Sequence, residues 1–462
     1  MKKLDTRKQR ITVGILCVIS LLIIVYIGGV IYFNNHFSFG TKINGVNVSG
    51  KTVEEVQSSI ENEISNYILV LEERNDIKEE IKASDIELKY DGSDRIREIK
   101  DSQNKYSWFL SIFESKDDNI YKAVTFNEGL LKDKVKNLGA ITSKDIVSPK
   151  DASFKYNNGS FDIVQEIYGN KVNEDILYEK IKDAVIEGKE ILNLDNEGCY
   201  VNPKFISSSD EVKAAKEGLN KALQAKITYE IFGNNEYLDS SKISSWLSVN
   251  DNMEVIIDGQ KAKNYIDELA YKYNTVNKSR EFLTSTGAVV QVPKGNYGWR
   301  IDTSAEKDKL ISDIKEGNEV TREPIYKQKG AVKGLKDYGN TYAEINLTKQ
   351  HIWFYKDGAL ITEGDIVTGN VANKWDTPAG IYSLNYKEKN ATLKGEDYET
   401  KVNYWMPFNG GIGLHDALWR SEFGKEIYLQ GGSHGCVNAP FEVAQSVFDN
   451  IKPGDPVIVY TE

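Results

Sequence analysis

The hydrophobic pattern of the chain begins with an unbroken apolar run. Residues 11–33, ITVGILCVISLLIIVYIGGVIYF, contain no charged side chain, and residues 1–10 carry five basic side chains against one acidic one. A helix of this length, rising about 1.5 Å per residue, crosses a hydrocarbon core of roughly 30 Å. Because basic residues stay on the cytoplasmic side, we predict a cytoplasmic tail at 1–10, a transmembrane anchor at 11–33 and an extracytoplasmic remainder.

A cleaved signal peptide is the alternative interpretation of this run. The apolar part of a signal peptide usually spans about 7–15 residues and ends in small side chains. Here the run is longer and ends in Tyr32-Phe33-Asn34. We therefore expect a single-pass protein of the cell membrane, with its N-terminus in the cytoplasm and its folded part at the cell wall.

Two amphipathic segments in the middle of the chain resemble each other. Residues 168–188 can be laid over residues 297–317 without a gap, and each begins with Tyr-Gly and ends with Glu-Gly. The apolar spacing predicts a strand, a turn and a helix in each, with the glycine ending the helix. We predict two duplicated α+β domains at 34–205 and 206–328, followed by a linker at 329–338.

Strand-like stretches dominate the last part of the chain. Residues 342–347 alternate, and residues 351–355 lead into a turn at 356–358 that is consistent with a hairpin. Residues 363–368, 380–384 and 457–460 predict further strands, and Pro440 opens a helix that ends near Asn450. Residues 339–462 are therefore predicted to be a mostly-β domain with one helix, which makes the chain a multidomain α+β protein.

Composition narrows the classes of function. Apolar residues make up 40% and charged residues 27% of the chain, and the formal net charge is −11. A nucleic-acid partner normally requires a basic surface, so that class is disfavoured. Three cysteines are too few for a scaffold built on disulfides. Cys199 has no histidine near it in sequence and is interpreted as a packing thiol.

The candidate chemistry lies around the third cysteine. His434 lies two residues before Cys436, and His415 and Asp416 precede it by about 20 residues. A thiol reacts as the thiolate, which a neighbouring imidazole can generate by taking the proton. Asp416 could orient that imidazole as the third member of a nucleophile–base–orienter set.

The glycines around this cysteine favour a backbone loop that binds a ligand. Ser433 and Gly435 belong to such a loop, and the helix that follows turns its positive end roughly toward it. Two other readings of the motif remain, half of a zinc site or a buried packing thiol. A structural zinc site normally needs four ligands, and this domain lacks a second Cys or His pair, so we expect no metal.

At these residues the sequence resembles the L,D-transpeptidases of bacterial cell walls, which have a YkuD-type catalytic domain. The family signature is a His, a gap of some fifteen residues, Ser/Thr-His-Gly-Cys, an apolar residue, and Asn or Arg. Here 17 residues separate His415 from the stretch Ser433-His434-Gly435-Cys436-Val437-Asn438. Residues 377–382, Thr-Pro-Ala-Gly-Ile-Tyr, also resemble a family stretch at the rim of the substrate cleft.

The resemblance implies that the domain has a β-sandwich-like fold. It also implies that the domain is a cysteine-dependent acyltransferase that acts on peptidoglycan stem peptides. Cys436 would attack a donor tetrapeptide, D-Ala would leave, and the amine of an acceptor stem would resolve the thioacyl-enzyme as a 3→3 crosslink. His415 would be the base and Asp416 its orienter, although in relatives a backbone carbonyl can take that part. His434, Gly435 and Cys436 would bind the oxyanion. The resemblance also implies acylation by carbapenems and no cofactor.

Aromatic residues near the motif are candidates for the substrate cleft. Trp375 and Trp405, together with Asn438, are predicted to line it, and Trp419 is a further candidate. Residues 404–408, Tyr-Trp-Met-Pro-Phe, precede a Gly-Gly pair and are interpreted as a lid.

The middle segments resemble the peptidoglycan-binding domains that precede catalytic modules in Gram-positive wall enzymes. This likeness rests on residues 42–46, Lys-Ile-Asn-Gly-Val, and on the two Tyr-Gly stretches. Alternatively, the copies are spacers that hold the enzyme off the membrane.

Three functions remain open from the sequence. The first is the crosslinking enzyme, with peptidoglycan stems and the membrane as partners. The second is another extracytoplasmic cysteine transpeptidase, an endopeptidase or an L,D-carboxypeptidase on wall peptides. The third is a binding protein with an inactive catalytic domain, which the complete motif makes the least expected.

Overall fold

A computed structural model describes residues 2–120, 123–395 and 399–462. The chain packs into two compact units. Unit 1 comprises Met1–Ser153 and Val164–Ser209, and unit 2 comprises Phe154–Ile163 and Asp210–Glu462. Both units mix helices and strands, as the sequence pattern predicts.

The α-helices begin with a long apolar one, and the others are distributed over both units. They are α1 (Lys2–Tyr32), α2 (Val53–Ser65), α3 (Ser93–Asp101), α4 (Glu128–Lys136), α5 (Gly139–Thr142), α6 (Glu174–Glu187), α7 (Asp210–Ala222), α8 (Ser240–Ile243), α9 (Gly259–Tyr273), α10 (Thr303–Glu316), α11 (Ile427–Gly431) and α12 (Phe441–Asn450). Short 3-10 helices lie at Arg74–Asp76, Ala83–Asp85, Lys105–Ser107, Ser111–Phe113 and Ser244–Trp246.

The strands are short in the middle of the chain and longer near its end. They are β1 (Thr41–Ile43), β2 (Val46–Asn47), β3 (Ile68–Glu72), β4 (Lys78–Lys82), β5 (Lys89–Tyr90), β6 (Lys116–Asp118), β7 (Val124–Thr125), β8 (Ser153–Asn157), β9 (Ser160–Val164), β10 (Ile191–Asn193), β11 (Lys226–Ile231), β12 (Asn234–Leu238), β13 (Leu247–Val249), β14 (Val255–Ile257), β15 (Arg280–Leu283), β16 (Val289–Val292), β17 (Arg300–Ile301), β18 (Glu319–Arg322), β19 (Tyr326–Gln328), β20 (Tyr342–Asn346), β21 (His351–Lys356), β22 (Ala359–Asp365), β23 (Gly380–Ser383), β24 (Glu388–Lys394), β25 (Glu399–Asn409), β26 (Ile412–Asp416), β27 (Val437–Ala439) and β28 (Pro456–Tyr460).

The apolar run at the start of the chain is helical. Residues Thr6–Tyr32 of α1 form a 27-residue stretch that is long and apolar enough to cross a membrane, and none of its most apolar window is buried in the protein. The helix is therefore compatible with the predicted anchor by its length and apolar composition, a test that a signal sequence near the N-terminus also passes.

Each unit contains a three-stranded sheet with the same strand order and directions. In unit 1, β3 lies between β10, which runs parallel to it, and β4, which runs antiparallel. In unit 2, β11 lies in the same way between β18 and β12.

The helix before the parallel edge strand is capped alike in both sheets. The side chain of Asn173 caps α6 by accepting from the Ile176 N–H, and the side chain of Asp302 caps α10 by accepting from the Ala305 N–H. Both helices end at a glycine in the left-handed region, Gly188 at φ 67° and Gly317 at φ 69°. A side chain would strain such a position, so the predicted helix stops at these glycines are confirmed.

The hairpin of β8 and β9 packs away from its neighbours in sequence. Residues 154–163 belong to unit 2, where Phe161 joins the core around Leu219 and the Phe161 N–H donates to Asn220. The domain boundaries given above remain predictions, since packing alone does not define a duplicated domain.

The last part of unit 2 is rich in strands and contains two sheets. One has the order β22-β21-β20-β28-β23 and the other has the order β24-β25-β26-β27. A common apolar core joins them, with Phe354 and Val459 from the first sheet, Met406 and Leu414 from the second, and Ala444 from α12.

The local predictions for this region are largely confirmed. The predicted strands at 342–347, 351–355, 380–384 and 457–460 correspond to β20, β21, β23 and β28. The predicted helix is α12, but Pro440 is its N-cap and not its first residue. The predicted lid at 404–408 is wrong, because these residues lie within β25 and are buried in the sheet.

The predicted linker is fixed by buried contacts. The Asp337 carboxylate forms a buried ion pair with Arg280 at 2.9 Å. The Tyr297 hydroxyl accepts from the Ala331 N–H at 2.8 Å, and the indole N–H of Trp299 donates to the Val332 carbonyl at 2.7 Å. The composition of residues 329–338 suggests a mobile stretch, but these partners, distant in sequence, hold it in place.

Candidate active site

Cys436 lies at the end of a loop. Hydrogen bonds from a side chain within the loop and from a neighbouring threonine hold this loop in place. The Ser433 hydroxyl donates to the Cys436 carbonyl at 2.5 Å and accepts from the Gly435 N–H at 3.1 Å. The Thr377 hydroxyl donates to the Gly435 carbonyl at 2.7 Å. Gly435 has φ 115°, a value that L side chains rarely adopt, so this position favours glycine. The loop therefore holds the thiol in a defined position.

The surroundings of the Cys436 thiol are mostly apolar. The residue is 9% exposed and packs with Ala391, Val402 and Trp405. Its Sγ lies 3.7 Å from the Gly411 carbonyl oxygen, to which the thiol donates. Burial raises the pKa of the Cys436 thiol, and a hydrogen bond with the Gly413 backbone opposes that shift. The thiol is therefore protonated at neutral pH in the resting protein.

His415 is held at both ring nitrogens. It lies on β26, directly opposite Asn438 of the parallel strand β27. Nδ1 is 2.9 Å from the Asp416 carbonyl oxygen, and Nε2 is 3.1 Å from Nδ2 of Asn438. Since a carbonyl only accepts, Nδ1 carries the proton and Nε2 presents its lone pair. Burial lowers the pKa of His415, so the ring is a neutral base at physiological pH.

Arg420 fixes the orientation of the amide that faces this histidine. Its Nε donates to Oδ1 of Asn438 at 2.8 Å, and its Nη1 donates to the Gly431 carbonyl at 2.9 Å. A guanidinium has no acceptor, so Oδ1 of Asn438 must face Arg420 and the amide N–H must face His415. Sequence reasoning missed Arg420, because nothing in the 17-residue gap between the motif halves marks this side chain.

The Asp416 carboxylate is turned away from the imidazole. Its Oδ1 accepts from the N–H groups of Asn403 and Tyr404, both at 2.8 Å, and its Oδ2 accepts from the Asn403 side chain at 2.7 Å. The contact that orients His415 comes from the main-chain carbonyl of Asp416. The expectation of a carboxylate orienter is corrected accordingly, because the neighbouring strand β25 takes both carboxylate oxygens.

This geometry predicts that the Asp416 carboxylate contributes to stability and not to the rate of the reaction. Asp416→Asn keeps the main-chain carbonyl and one side-chain oxygen for the β25 N–H groups. The resemblance implies that a carbapenem acylates Cys436. We expect the rate of this acylation in Asp416→Asn to stay within about threefold of the wild-type rate, because no contact to the His415 ring is lost. Asp416→Ala is expected to lower the free energy of unfolding by about 1–3 kcal/mol, since it leaves buried N–H groups without an acceptor. Carbapenem acylation kinetics and thermal unfolding measure the two effects. A loss of several hundredfold in Asp416→Asn would restore the carboxylate to the catalytic set.

The aromatic candidates have different positions around the loop. The ring of Trp375 stacks on His434 with centroids 4.0 Å apart and is 40% exposed. Trp405 is buried and contacts Cys436 from within the sheet, with its ring 5.8 Å from that of His415. Trp419 is exposed, and its ring lies 5.9 Å from the His415 ring.

An open cavity of about 410 Å³ brings most of the candidate residues together. Its lining comprises Leu393, Thr400, His415, Trp419, Arg420, Gly432, Ser433, His434, Cys436 and Asn438. Asp416, Gly435, Trp375 and Trp405 surround this site without lining the cavity. The cavity can therefore present an acyl carbonyl to a thiol, a neutral imidazole and an amide.

Two backbone N–H groups of the loop form hydrogen bonds within the protein. The Ser433 N–H donates to the Thr368 carbonyl at 3.0 Å, and the Gly435 N–H donates to the Ser433 hydroxyl. Thr377 belongs to the stretch expected at the cleft rim, but it is buried and supports this loop from behind. The N–H groups of Ser433 and Gly435 thus stabilise the loop instead of pointing to a ligand.

The part of the chain that the structure describes contains no group of three or more His, Cys, Asp or Glu side chains arranged to hold a metal ion.

Comparisons with known proteins place these residues in a family. The model of the L,D-transpeptidase catalytic domain, YkuD, matches residues 340–459. The family model described as "Putative peptidoglycan binding domain" matches residues 79–192 and 206–322. A search of curated proteins gave no match.

Solved structures include similar proteins. A crystal structure of an Enterococcus faecium L,D-transpeptidase with a cysteine-to-serine substitution is 38% identical and covers 54% of this chain and 100% of that chain, with a TM-score of 0.45. The catalytic domain of an E. faecium L,D-transpeptidase acylated by ertapenem is 44% identical and covers 26% of this chain and 98% of that chain, with a TM-score of 0.25. On the two family models and this sequence identity, the chain belongs to the L,D-transpeptidase family, with a YkuD catalytic domain that follows peptidoglycan-binding domains.

Proposed function

We propose that the protein forms 3→3 crosslinks in peptidoglycan through a thioacyl-enzyme on Cys436. The observation that carries this proposal is that the Cys436 thiol and the neutral His415 imidazole line the same open cavity. The cavity lies within the segment that matches the catalytic-domain model. Its donor substrate is a tetrapeptide stem, and its acceptor is the side-chain amine of a second stem.

The resting site contains a neutral thiol and a neutral imidazole. Burial raises the pKa of Cys436 and lowers the pKa of His415, so an ion pair is disfavoured before substrate binds. The proton therefore leaves the sulfur as the carbon–sulfur bond forms, and His415 acts as a general base. For this step Nε2 accepts from the thiol in place of the Asn438 amide.

Acylation exchanges an amide for a thioester. The sulfur of Cys436 attacks the carbonyl carbon of the diamino residue at position three, and His415 Nε2 takes the thiol proton. The carbon–nitrogen bond to the terminal D-Ala then breaks, and the imidazolium returns the proton to the leaving amine. The Asp416 carbonyl positions the ring through both steps, because its contact with Nδ1 does not involve the nitrogen that carries the proton.

Transfer reverses the proton movements. The acceptor amine attacks the thioester carbonyl and loses a proton to His415, and the sulfur leaves and regains a proton. The amide formed is the crosslink. The Ser433 and Gly435 N–H groups hold the loop, and the N–H of Cys436, on the same residue as the reacting sulfur, is a candidate donor to the oxyanion.

We also propose that α1 is an uncleaved anchor with its N-terminus in the cytoplasm. The end of the helix is part of the fold of unit 1, since Phe33 is 3% exposed and the Tyr32 hydroxyl donates to the Gly50 carbonyl at 3.0 Å. A cut at the end of the apolar run, after Phe33, would remove both contacts. The five basic residues before the run support this orientation.

Two finer features of the fold belong to the same proposal. The equal strand order and equal helix caps of the two three-stranded sheets support a domain duplication, and we propose that both copies bind peptidoglycan. The common core of the two sheets in residues 339–462 supports a β-sandwich-like catalytic domain.

The proposed reaction is tested with the full chain in detergent and a disaccharide-tetrapeptide substrate. The products are weighed by mass spectrometry. A dimer lighter than two substrates by one D-Ala supports the 3→3 crosslink. Tripeptide stems without dimers indicate an L,D-carboxypeptidase or another hydrolase, and unchanged substrate indicates an inactive binding protein.

A further inference from the structure

A short segment of unit 1 exposes large apolar side chains next to the apolar helix. Residues 105–113, Lys-Tyr-Ser-Trp-Phe-Leu-Ser-Ile-Phe, contain two 3-10 helices. Five of these side chains are between 44% and 87% exposed: Tyr106, Phe109, Leu110, Ile112 and Phe113. So many exposed apolar groups in one segment are unusual on a surface that faces only water.

The segment contacts the outer part of α1 directly. The Trp108 indole N–H is 3.3 Å from the Tyr26 carbonyl oxygen, and the Tyr26 hydroxyl donates to the Tyr106 carbonyl at 3.1 Å. A Cβ added at Gly29 would lie 2.2 Å from the Trp108 ring, so this glycine permits the contact. The segment is therefore packed on the helix at residues 26–29.

The contact continues at Phe33, a buried residue just after the helix. The Phe33 ring stacks on Trp108 with centroids 5.6 Å apart, and it lies 4.9 Å from the Phe39 ring. The Lys105 ammonium donates to the Asn34 side chain at 2.6 Å. These contacts give the segment a fixed level along the helix.

The level of these contacts can be compared with the thickness of a membrane. Starting at Ile11, about 20 helical residues span a hydrocarbon core of roughly 30 Å, so its outer edge falls near Val30. Gly29 then lies at that edge, and Tyr26 lies roughly 6 Å inside it. The exposed side chains of residues 106–113 are held at the level where hydrocarbon meets headgroups.

The side-chain types in the segment suit that level. Trp and Tyr prefer the membrane interface because their rings are amphipathic, and a lysine beside them can extend toward the headgroups. A protein partner would have to share this surface with the lipid around α1, since the apolar window of the helix has no protein cover. Lipid is therefore the occupant that the geometry favours.

We propose that residues 106–113 insert into the outer leaflet and seat unit 1 directly on the membrane. The inference rests on the proposal that α1 is an uncleaved anchor. Unit 1 is then attached through two adjacent elements, the helix and this segment, and its tilt relative to the membrane is restricted.

The test uses the full chain in nanodiscs whose lipids are brominated in the upper part of their acyl chains. Phe113→Trp adds one indole to the segment, and Lys144→Trp adds one at an exposed position elsewhere in unit 1. Bromine quenches indoles within the bilayer, so we expect the added emission at 113 to fall by at least about half and that at 144 to be unchanged. Equal quenching at both positions, or none at 113, would overturn the proposal.

Two glycines of the helix provide matched variants. Gly29→Leu in the Phe113→Trp chain displaces Trp108 and should reduce the quenching. Gly28→Leu should leave it unchanged, because a Cβ there meets nothing within 4 Å. Equal quenching in both variants would show that the Trp108 contact does not hold the segment in the leaflet.

Intact mass and carbonate extraction report on the anchor separately. A shortened or extractable chain contradicts the anchor, whereas an intact, embedded chain with an unquenched indole contradicts only the insertion of the segment.

Discussion

Cys436→Ala is expected to abolish the covalent adduct with a carbapenem, while Cys199→Ala leaves it intact. The Cys436 thiol lines the open cavity beside His415. Cys199 has no exposed surface, and burial raises its pKa to about 11, so it is neither accessible nor ionised. Intact-protein mass spectrometry after incubation with ertapenem measures both results.

The two substitutions control for each other. Each substitution removes one sulfur from a buried position, so the two variants carry the same kind of change at different sites. Thermal unfolding of the variants verifies that each is folded at the temperature of the assay. An adduct that survives in Cys436→Ala, or one that disappears in Cys199→Ala, would move the nucleophile away from Cys436.

Local features of the fold could be read from the sequence because they depend on near neighbours. Thr52 and Glu55 have the spacing of a capping box in the sequence, and the structure contains this box at the start of α2, whose buried side chains are Val56, Ile60 and Ile64. Likewise, the segments predicted as strands at 342–347, 351–355, 380–384 and 457–460 correspond to β20, β21, β23 and β28. These patterns are set by helix and strand periodicity, which a single sequence displays.

Features that depend on distant partners could not be read in this way. The hairpin at 153–164 packs into unit 2 through Phe161, which contacts a core that lies later in the chain. The linker at 329–338 is fixed by Arg280, about 50 residues away, while its own composition suggests mobility. Residues 404–408 resemble a lid in sequence, but β26 and β24 pair on either side of them and bury them.

The candidate site shows the same division. The motif pointed to Cys436, the nearby histidines and Ser433, which the structure brings to one cavity. It did not give the direction of the Asp416 side chain, because strand pairing decides that the carboxylate meets β25 and the carbonyl meets His415. Arg420 acts only through the Asn438 amide, a contact that depends on the fold of the intervening residues.

The resting protonation of the site also required the structure. A motif with a cysteine and two histidines suggests a thiolate, but burial disfavours charge on both Cys436 and His415. A thiol that is neutral until substrate binds reacts slowly with general alkylating agents and oxidants. In the proposed reaction, selectivity then comes from the substrate, whose binding brings its carbonyl to the Cys436 thiol in the cavity that His415 also lines.

His415→Gln is expected to lower the rate of carbapenem acylation by at least about a thousandfold, within the range found for a lost general base. The glutamine amide can still contact Asn438, but it cannot take the thiol proton. His434→Gln is the matched control, and we expect a smaller loss because the His434 ring stacks on Trp375, whereas Nε2 of His415 faces the Asn438 amide. The same kinetics, followed by mass spectrometry between pH 5 and 8, give the direction of the pH dependence. Burial lowers the pKa of His415, so the ring loses its proton already below the ordinary value near 6.5 and the wild-type rate should fall only under that pH. A rate that halves between pH 8 and 7, or a His415→Gln chain within tenfold of wild type, would mean that another group takes the proton.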